Sequence, residues 1–218
     1  MRQSTSSASR TQPVADRLPL VDRRSEFTRQ AILDAALQVL EENSVAQLTV
    51  RAIAHVAAMS ERTVFRHFDT REALLDAVAA ETRLRLALPD PPSTIAELVD
   101  APRALYRAFE ARSRLTRAAL HSEIFDRMRL SQAHERWNAV RAIVDAHAPS
   151  RSARERRIAA ANIRYYLSAT CWNYYRSHFG FTLDDTIACA ETAIRQSLAG
   201  IGLRGRVLQA HARRQARS

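Results

Sequence analysis

The stretch AHVAAMSERTVFRHF, residues 54–68, constrains this chain more than any other. Its helical apolar spacing stops at Met59 and Ser60 and restarts at once, so two short helices meet across about three residues. Helices this short are not stable alone, and each must bury its face against the other and against a neighbour. Ile53, Ala54 and Ala57 face Met59 and Val64 across the turn, with Phe68 one turn beyond Val64. Ala54 must be small because the helices cross closely there. That inward set leaves Glu61, Arg62, Phe65 and Arg66 on the opposite face, flanked by Thr63 and His67. A short helix capped by Ser60 and pressed on a scaffold helix suits insertion into a DNA major groove. Arg62 and Arg66 can each donate two hydrogen bonds to guanine, Thr63 can bond a base or a phosphate, and Phe65 suits a thymine methyl.

The rest of the chain is also written in helical periods, with no strand-like alternation and only four glycines. The expected fold is all-α. Residues 1–24 are rich in Ser, Thr, Arg and Pro without periodicity and read as a disordered basic arm. Ile32, Leu33, Ala36, Val39 and Leu40 place a first helix from about Glu26 to Glu42, ended by the sequence ENS. Thr49 is a good cap for the second helix and Ser60 for the third. Asp69 or Thr70 caps the fourth, with Asp69 and Glu72 available as a capping box. Three prolines within LPDPPS, residues 88–93, cannot continue a helix and mark the boundary between two domains. The spacing then predicts helices at about 93–99, 103–112, 115–129, 132–147, 152–178 and 183–199. Thr182 caps the last of these and Gly200 ends it.

Charge is unevenly spread. All 33 basic residues are arginine, and the net charge is +10. Residues 1–24 hold net +3 and the tail 204–218 holds net +5, whereas residues 25–88 carry seven arginines against nine acids. Both ends can add non-specific phosphate affinity. Binding by the central helices must rest on local placement. No run of about 18 apolar residues occurs, so no membrane span is expected. The N-terminus lacks the apolar core of a secretory signal, and the expected location is the cytoplasm. Cys171 and Cys189 read as thiols in a reducing compartment.

Residues 28–78 resemble the DNA-binding domain of the TetR family of bacterial regulators. The resemblance rests on Ile53-Ala54, on Ala58-Met59-Ser60, on Thr63-Val64-Phe65-Arg66-His67-Phe68 and on Arg71-Glu72-Ala73-Leu74-Leu75. It implies phosphate contacts from Thr49, His67 and Arg71, base-facing positions at Glu61, Arg62, Thr63, Phe65 and Arg66, and Ser60 at the tip of the recognition helix. Val64 and Phe68 are core in that scheme. The chain departs from the family pattern in several places. Ala58 replaces a glycine in the turn, so the backbone there must avoid a positive φ or carry strain. Ser44 replaces the glycine after the first helix. Phe65 replaces a tyrosine and loses a phosphate-bonding hydroxyl. Arg71 replaces a lysine but can still hold a phosphate. Arg62 stands where glycine is frequent, so operator sequence does not carry over.

The resemblance further implies that the C-terminal half binds a small effector and forms a homodimer. The expected architecture is a helix-turn-helix domain over 25–88, a ligand-binding and dimerisation bundle over 89–203, and a basic tail. Ile158, Asn162, Tyr165, Ala169, Trp172 and Phe179 form one stripe, and Leu183, Ile187, Ala190, Ile194 and Leu198 another. These last two helices are the expected dimer face. Tyr106, Phe109, His121, Phe125, Met128, Trp137, Asn162, Tyr165, Tyr166, Trp172 and Asn173 are candidates to line a largely apolar effector cavity. No metal spacing, nucleophile motif or glycine-rich phosphate loop is present, so neither catalysis nor a cofactor is expected. The expected function is a DNA-binding transcriptional regulator, a repressor released by its effector from a palindromic double-stranded operator. The alternatives are a weakly specific nucleoid-type protein driven by the basic tails, and a regulator whose C-terminal half reads a protein partner.

Overall fold

A computed structural model describes residues 20–42 and 48–203, without the side chains of 20, 21 and 129–133. Every regular element among them is helical. The first helix, α1, spans Leu20–Glu42 and begins six residues before the expected Glu26. Its first turns are exposed, held by polar contacts such as the Thr28 hydroxyl donating to the Arg24 carbonyl at 2.9 Å. Apolar spacing is silent about such turns because they bury nothing. The part of the expected arm that falls on 20–24 is therefore helical, and the rest lies outside the described residues, as do Asn43, Ser44 and the tail.

Three helices then follow as the caps predict. These are α2 (Val50–Val56), α3 (Glu61–His67) and α4 (Arg71–Leu86). The Thr49 hydroxyl accepts from the Ala52 amide, Ser60 from Thr63 and Thr70 from Ala73. Thr70 is thus the cap of α4, and the Asp69–Glu72 capping box does not form. Ile32, Ala36, Ile53, Val64, Leu74, Leu75 and Val78 close a common core. Arg85 ties α4 to α1 through Asp34 at 2.6 Å.

The chain leaves α4 at Ala87, in the left-handed region (φ 46), and runs non-helical through the three prolines. Leu88 packs against both hydrophobic clusters of the molecule. Beyond it several breaks fall elsewhere than the spacing predicts. One helix, α5 (Ile95–Ala111), replaces the two expected at 93–99 and 103–112, with Pro102 inside it. The proline removes one backbone bond, but Ile95, Leu98, Val99, Leu105, Tyr106 and Phe109 form one continuous buried stripe across it. Packing outweighs the local cost.

The break at Arg112 falls close to the expected one, but the following break lies at His121 and Ser122, between α6 (Ser113–Leu120) and α7 (Glu123–His147), and not near residue 130. Ser122 with Glu123 and Asp126 is an N-terminal signature that suits the helix dipole. The expected long helix 152–178 is divided into α8 (Ala153–Tyr166) and α9 (Ala169–Ser177). Side chains stand in for the lost helical bonds. The Tyr106 hydroxyl donates to the Tyr166 carbonyl at 2.6 Å, and Arg164 donates to Leu167 at 2.8 Å. Ser168 accepts from the Cys171 amide. One of these contacts comes from α5, sixty residues away in sequence, which local patterning does not register.

The final helix, α10 (Leu183–Gly200), is capped by Thr182 through the Asp185 amide. Its stripe Ile187, Ala190, Ile194 and Leu198 is buried within the chain, where α10 packs on α5 and α8. That stripe therefore builds the bundle core and is not an exposed face. The expected stripe on the preceding segment divides as well. Trp172 is buried in the core, whereas Ile158 and Tyr165 are 46% and 53% exposed. The break at Leu167 interrupts the stripe between the two helices.

Candidate nucleic-acid interface and effector cavity

The turn between α2 and α3 is closed by the Met59 amide on the Ala54 carbonyl at 2.9 Å and the Ala58 amide on His55 at 3.1 Å. Ala58 takes φ 52, the strained alternative, where a Cβ is disfavoured. This conformation turns the chain sharply enough for Ser60 to cap α3. The Ser60 oxygen accepts from the Thr63 amide at 3.1 Å and lies 2.9 Å from the Thr63 hydroxyl. Within α3 only Val64 is buried. Phe68 seals the core behind it, with the Arg29 guanidinium 5.1 Å over its ring.

That anchoring leaves Glu61, Arg62, Phe65 and Arg66 exposed, with Thr63 and His67 half-buried beside them. Phe65 is 42% exposed, an unusual amount for a phenylalanine with a core one turn away. Glu61 lies in the first turn, and Arg66 and His67 lie in the last, which suits the helix dipole. Thr49 and Ser60 are exposed at the starts of α2 and α3.

Arg71 has a second engagement that the sequence does not reveal. Its guanidinium pairs with Glu123, at the first residue of α7, and lies 3.6 Å from Glu72. Arg127, one turn further along α7, pairs with Glu72 and reaches Asp76 at 2.5 Å. Two arginines and three acids thus cross between α4 and α7. Ile124 of the same turn is buried in the N-terminal core.

The other face of this part of α7 looks into a cavity of about 530 Å³. Its lining includes Phe109, Phe125, Met128, Trp137 and Tyr165 from the expected set. Six expected residues stand elsewhere. Tyr106 and Trp172 are buried in the core, where burial pushes the Tyr106 hydroxyl well above its ordinary range. The indole N–H of Trp172 donates to Glu110 at 3.1 Å. Asn173 accepts from Arg117 at 3.2 Å, and His121 is exposed at the α6–α7 break. Asn162 and Tyr166 line a shallow groove between α8 and α10. Asn162 is exposed, so it is no buried amide in need of a partner.

Arg136 and Arg164 also line the cavity and were missed by the sequence reading. Both sit among apolar neighbours, and nothing in their local spacing sets them apart from the other arginines of α7 and α8. Among the described residues no group of three metal-ligating side chains converges, and no helix is long and apolar enough to cross a membrane.

The fold and the α2–α3 geometry define a helix-turn-helix protein with a helical bundle behind it. Residues 32–78 match the family described as bacterial regulatory proteins, tetR family. The chain is 34% identical over 61 residues to the class D tetracycline repressor protein of Escherichia coli, covering 28% of each chain. It is 42% identical over 62 residues to an uncharacterized HTH-type transcriptional regulator of Mycobacterium tuberculosis, covering 28% of this chain and 31% of that protein. These alignments thus span under a third of the relatives' length. Among solved structures the fold resembles NalD, the secondary repressor of the MexAB-OprM multidrug efflux pump in Pseudomonas aeruginosa. The TM-score is 0.54 at 19% identity, over 81% of this chain and 96% of NalD.

Proposed function

We propose that this chain is a transcriptional repressor that binds a palindromic operator as a homodimer and leaves it when an effector enters the bundle. The observation that carries the reading is the face of α3, where exposed Arg62, Phe65 and Arg66 stand on a buried Val64. Arg62, Thr63, Phe65 and Arg66, with Glu61, read bases. Thr49, His67 and Arg71 hold phosphates, and Ser60 fixes the tip. The DNA-binding unit runs over 25–88 and the effector and dimer unit over 89–203. Exposed Ile158 and Tyr165 on α8, with small residues on the outer side of α10, support the dimer face.

Effector response runs through α7 in this reading. Phe125 and Met128 line the cavity, while Glu123 and Arg127 hold α4 from the same two turns. A ligand that displaces those turns draws α4 with it. The two recognition helices of the dimer then no longer match half-sites about 34 Å apart. The change is a shift between two populated states, set by the ligand's preference for one of them.

Selection of bound fragments from a random DNA pool tests this reading. An enriched palindrome with half-sites about one helical turn apart is the expected result. Recovery of unrelated sequences would contradict it and favour non-specific binding by the basic tails.

A further inference from the structure

Arg136 and Arg164 face the cavity from α7 and α8, and among the described residues no carboxylate lines that cavity with them. The Arg136 guanidinium donates to the Pro89 carbonyl at 2.9 Å, and Arg164 donates to Leu167 at 2.8 Å. Each guanidinium has five N–H donors, and both protein acceptors are neutral. Asp90 and Glu135 act on Arg136 from a distance, but the charge that bears on Arg164 is that of Arg136 itself. Burial pulls both guanidiniums down from their ordinary range, and Arg136 lowers Arg164 further.

Two like charges brought together out of water are costly unless an opposite charge joins them. Elsewhere the chain pairs its enclosed arginines with acids, as Arg176 with Glu110 at 2.7 Å and Arg156 with Asp145 at 2.7 Å. Among the described residues neither Arg136 nor Arg164 forms such an ion pair, although both also border a second cavity of about 500 Å³ that Asp90, Glu97 and Asp100 line. The rest of the lining of the first cavity is mainly apolar, with Leu86, Leu105, Phe109, Phe125, Met128 and Trp137, and its other polar groups are the neutral hydroxyls of Thr116, Tyr165, Ser168 and Thr170.

We propose that the cavity takes an amphipathic anion, with a carboxylate or phosphate head between Arg136 and Arg164 and an apolar chain or ring against the wall of Phe109, Phe125 and Trp137. The planar guanidinium fork matches both head groups bidentately. The volume of about 530 Å³ accommodates a body of roughly drug size. The inference rests on the effector-responsive reading and sharpens it, since a largely apolar effector gains a charged end.

Titration of the full-length protein with decanoate, decyl phosphate and decanol, below the concentrations at which they form micelles, tests the site by calorimetry. At least one anion binds about tenfold or more tightly than decanol, as expected for a charge-assisted contact. The Arg136→Gln/Arg164→Gln double variant brings that anion down to decanol's affinity and leaves decanol unchanged. The corresponding double lysine variant keeps part of the preference, since lysine retains the charge without the fork. Which anion wins distinguishes a carboxylate head from a phosphate head. Equal binding of decanol and both anions, a preference that survives in the double glutamine variant, or no binding of either anion overturns the proposal. The same ligands are added to the operator complex. An anion that binds without releasing DNA supports the site and contradicts the effector role. Release by decanol and decanoate alike supports the effector role and overturns the anionic head.

Discussion

Arginine is this chain's only strongly basic residue type, and two regions use it in opposite ways. On α3, Arg62 and Arg66 stand in water on a seven-residue helix held by one buried valine. In the bundle, Arg136 and Arg164 are half-buried beside an apolar wall. An exposed guanidinium costs little to keep and adapts to whatever acceptor arrives. A desolvated one is costly alone and selects strongly for an anion. Between the two regions, Arg71 and Arg127 are taken up by acids across the α4–α7 contact. Under the proposed function, position decides whether the same side chain reads, selects or fastens.

The comparison breaks most visibly on α3. Arg62→Ala is expected to cost about 1–3 kcal/mol against the preferred operator and to relax specificity at one or two base pairs. Arg71→Ala weakens binding to all sequences alike and lowers the salt slope by about one. Equal losses from both variants on every sequence, measured by competition anisotropy, would erase the distinction between reading and holding.

A paired, enclosed arginine gives the next effect. Glu110 accepts from Arg176 and from the buried Trp172 indole, and the Arg176 hydrogen bond holds its carboxyl below the usual range. Glu110→Ala should cost about 2 kcal/mol, because the indole N–H and the arginine lose their acceptor. The folded carboxyl titrates lower than the unfolded one, near pH 4.3. Its stabilisation is therefore complete above that pH and lost as pH falls through the lowered folded value. Denaturant titrations across this window should show a shallower acid loss in Glu110→Gln; an unchanged slope would contradict the pairing.

The α4–α7 contact should yield less, since Arg71 and Glu123 are both substantially exposed. Such pairs contribute about 0–1 kcal/mol. Glu123→Gln releases Arg71 toward phosphate, so DNA binding tightens by a few-fold on all sequences and effector release becomes less complete. Weaker binding in this variant would show that the contact supports the DNA-bound state.

The strained turn gives the smallest change. Ala58→Gly removes the Cβ penalty at φ 52 but loosens the unfolded chain. The net gain expected is about 0.5–1 kcal/mol in thermal unfolding, and a loss would mean that the alanine methyl packs favourably.

The two regions also differed in how far the sequence exposed them. Thr49, Ser60 and Thr70 each cap the start of a helix through an amide three residues on, so local chemistry alone located the starts of α2, α3 and α4. Val64 inward and Phe65 outward followed from one helical turn. In the bundle, a separate helix expected from about 103 follows from local spacing, while the stripe that carries α5 through Pro102 is set by packing. The break at Leu167 depends on Tyr106 reaching across from α5, and the charge of the cavity depends on Arg136 and Arg164 meeting from different helices. Neither relation has a sequence spacing to read.

The most direct test is a fluorescence anisotropy titration of the full-length protein onto DNA upstream of its own gene and onto a shuffled copy, at physiological salt. The account predicts a preference of about a thousandfold or more for the native fragment, lost in large part in Arg62→Ala. Equal affinity for both fragments, unchanged by that substitution, would contradict operator reading by α3.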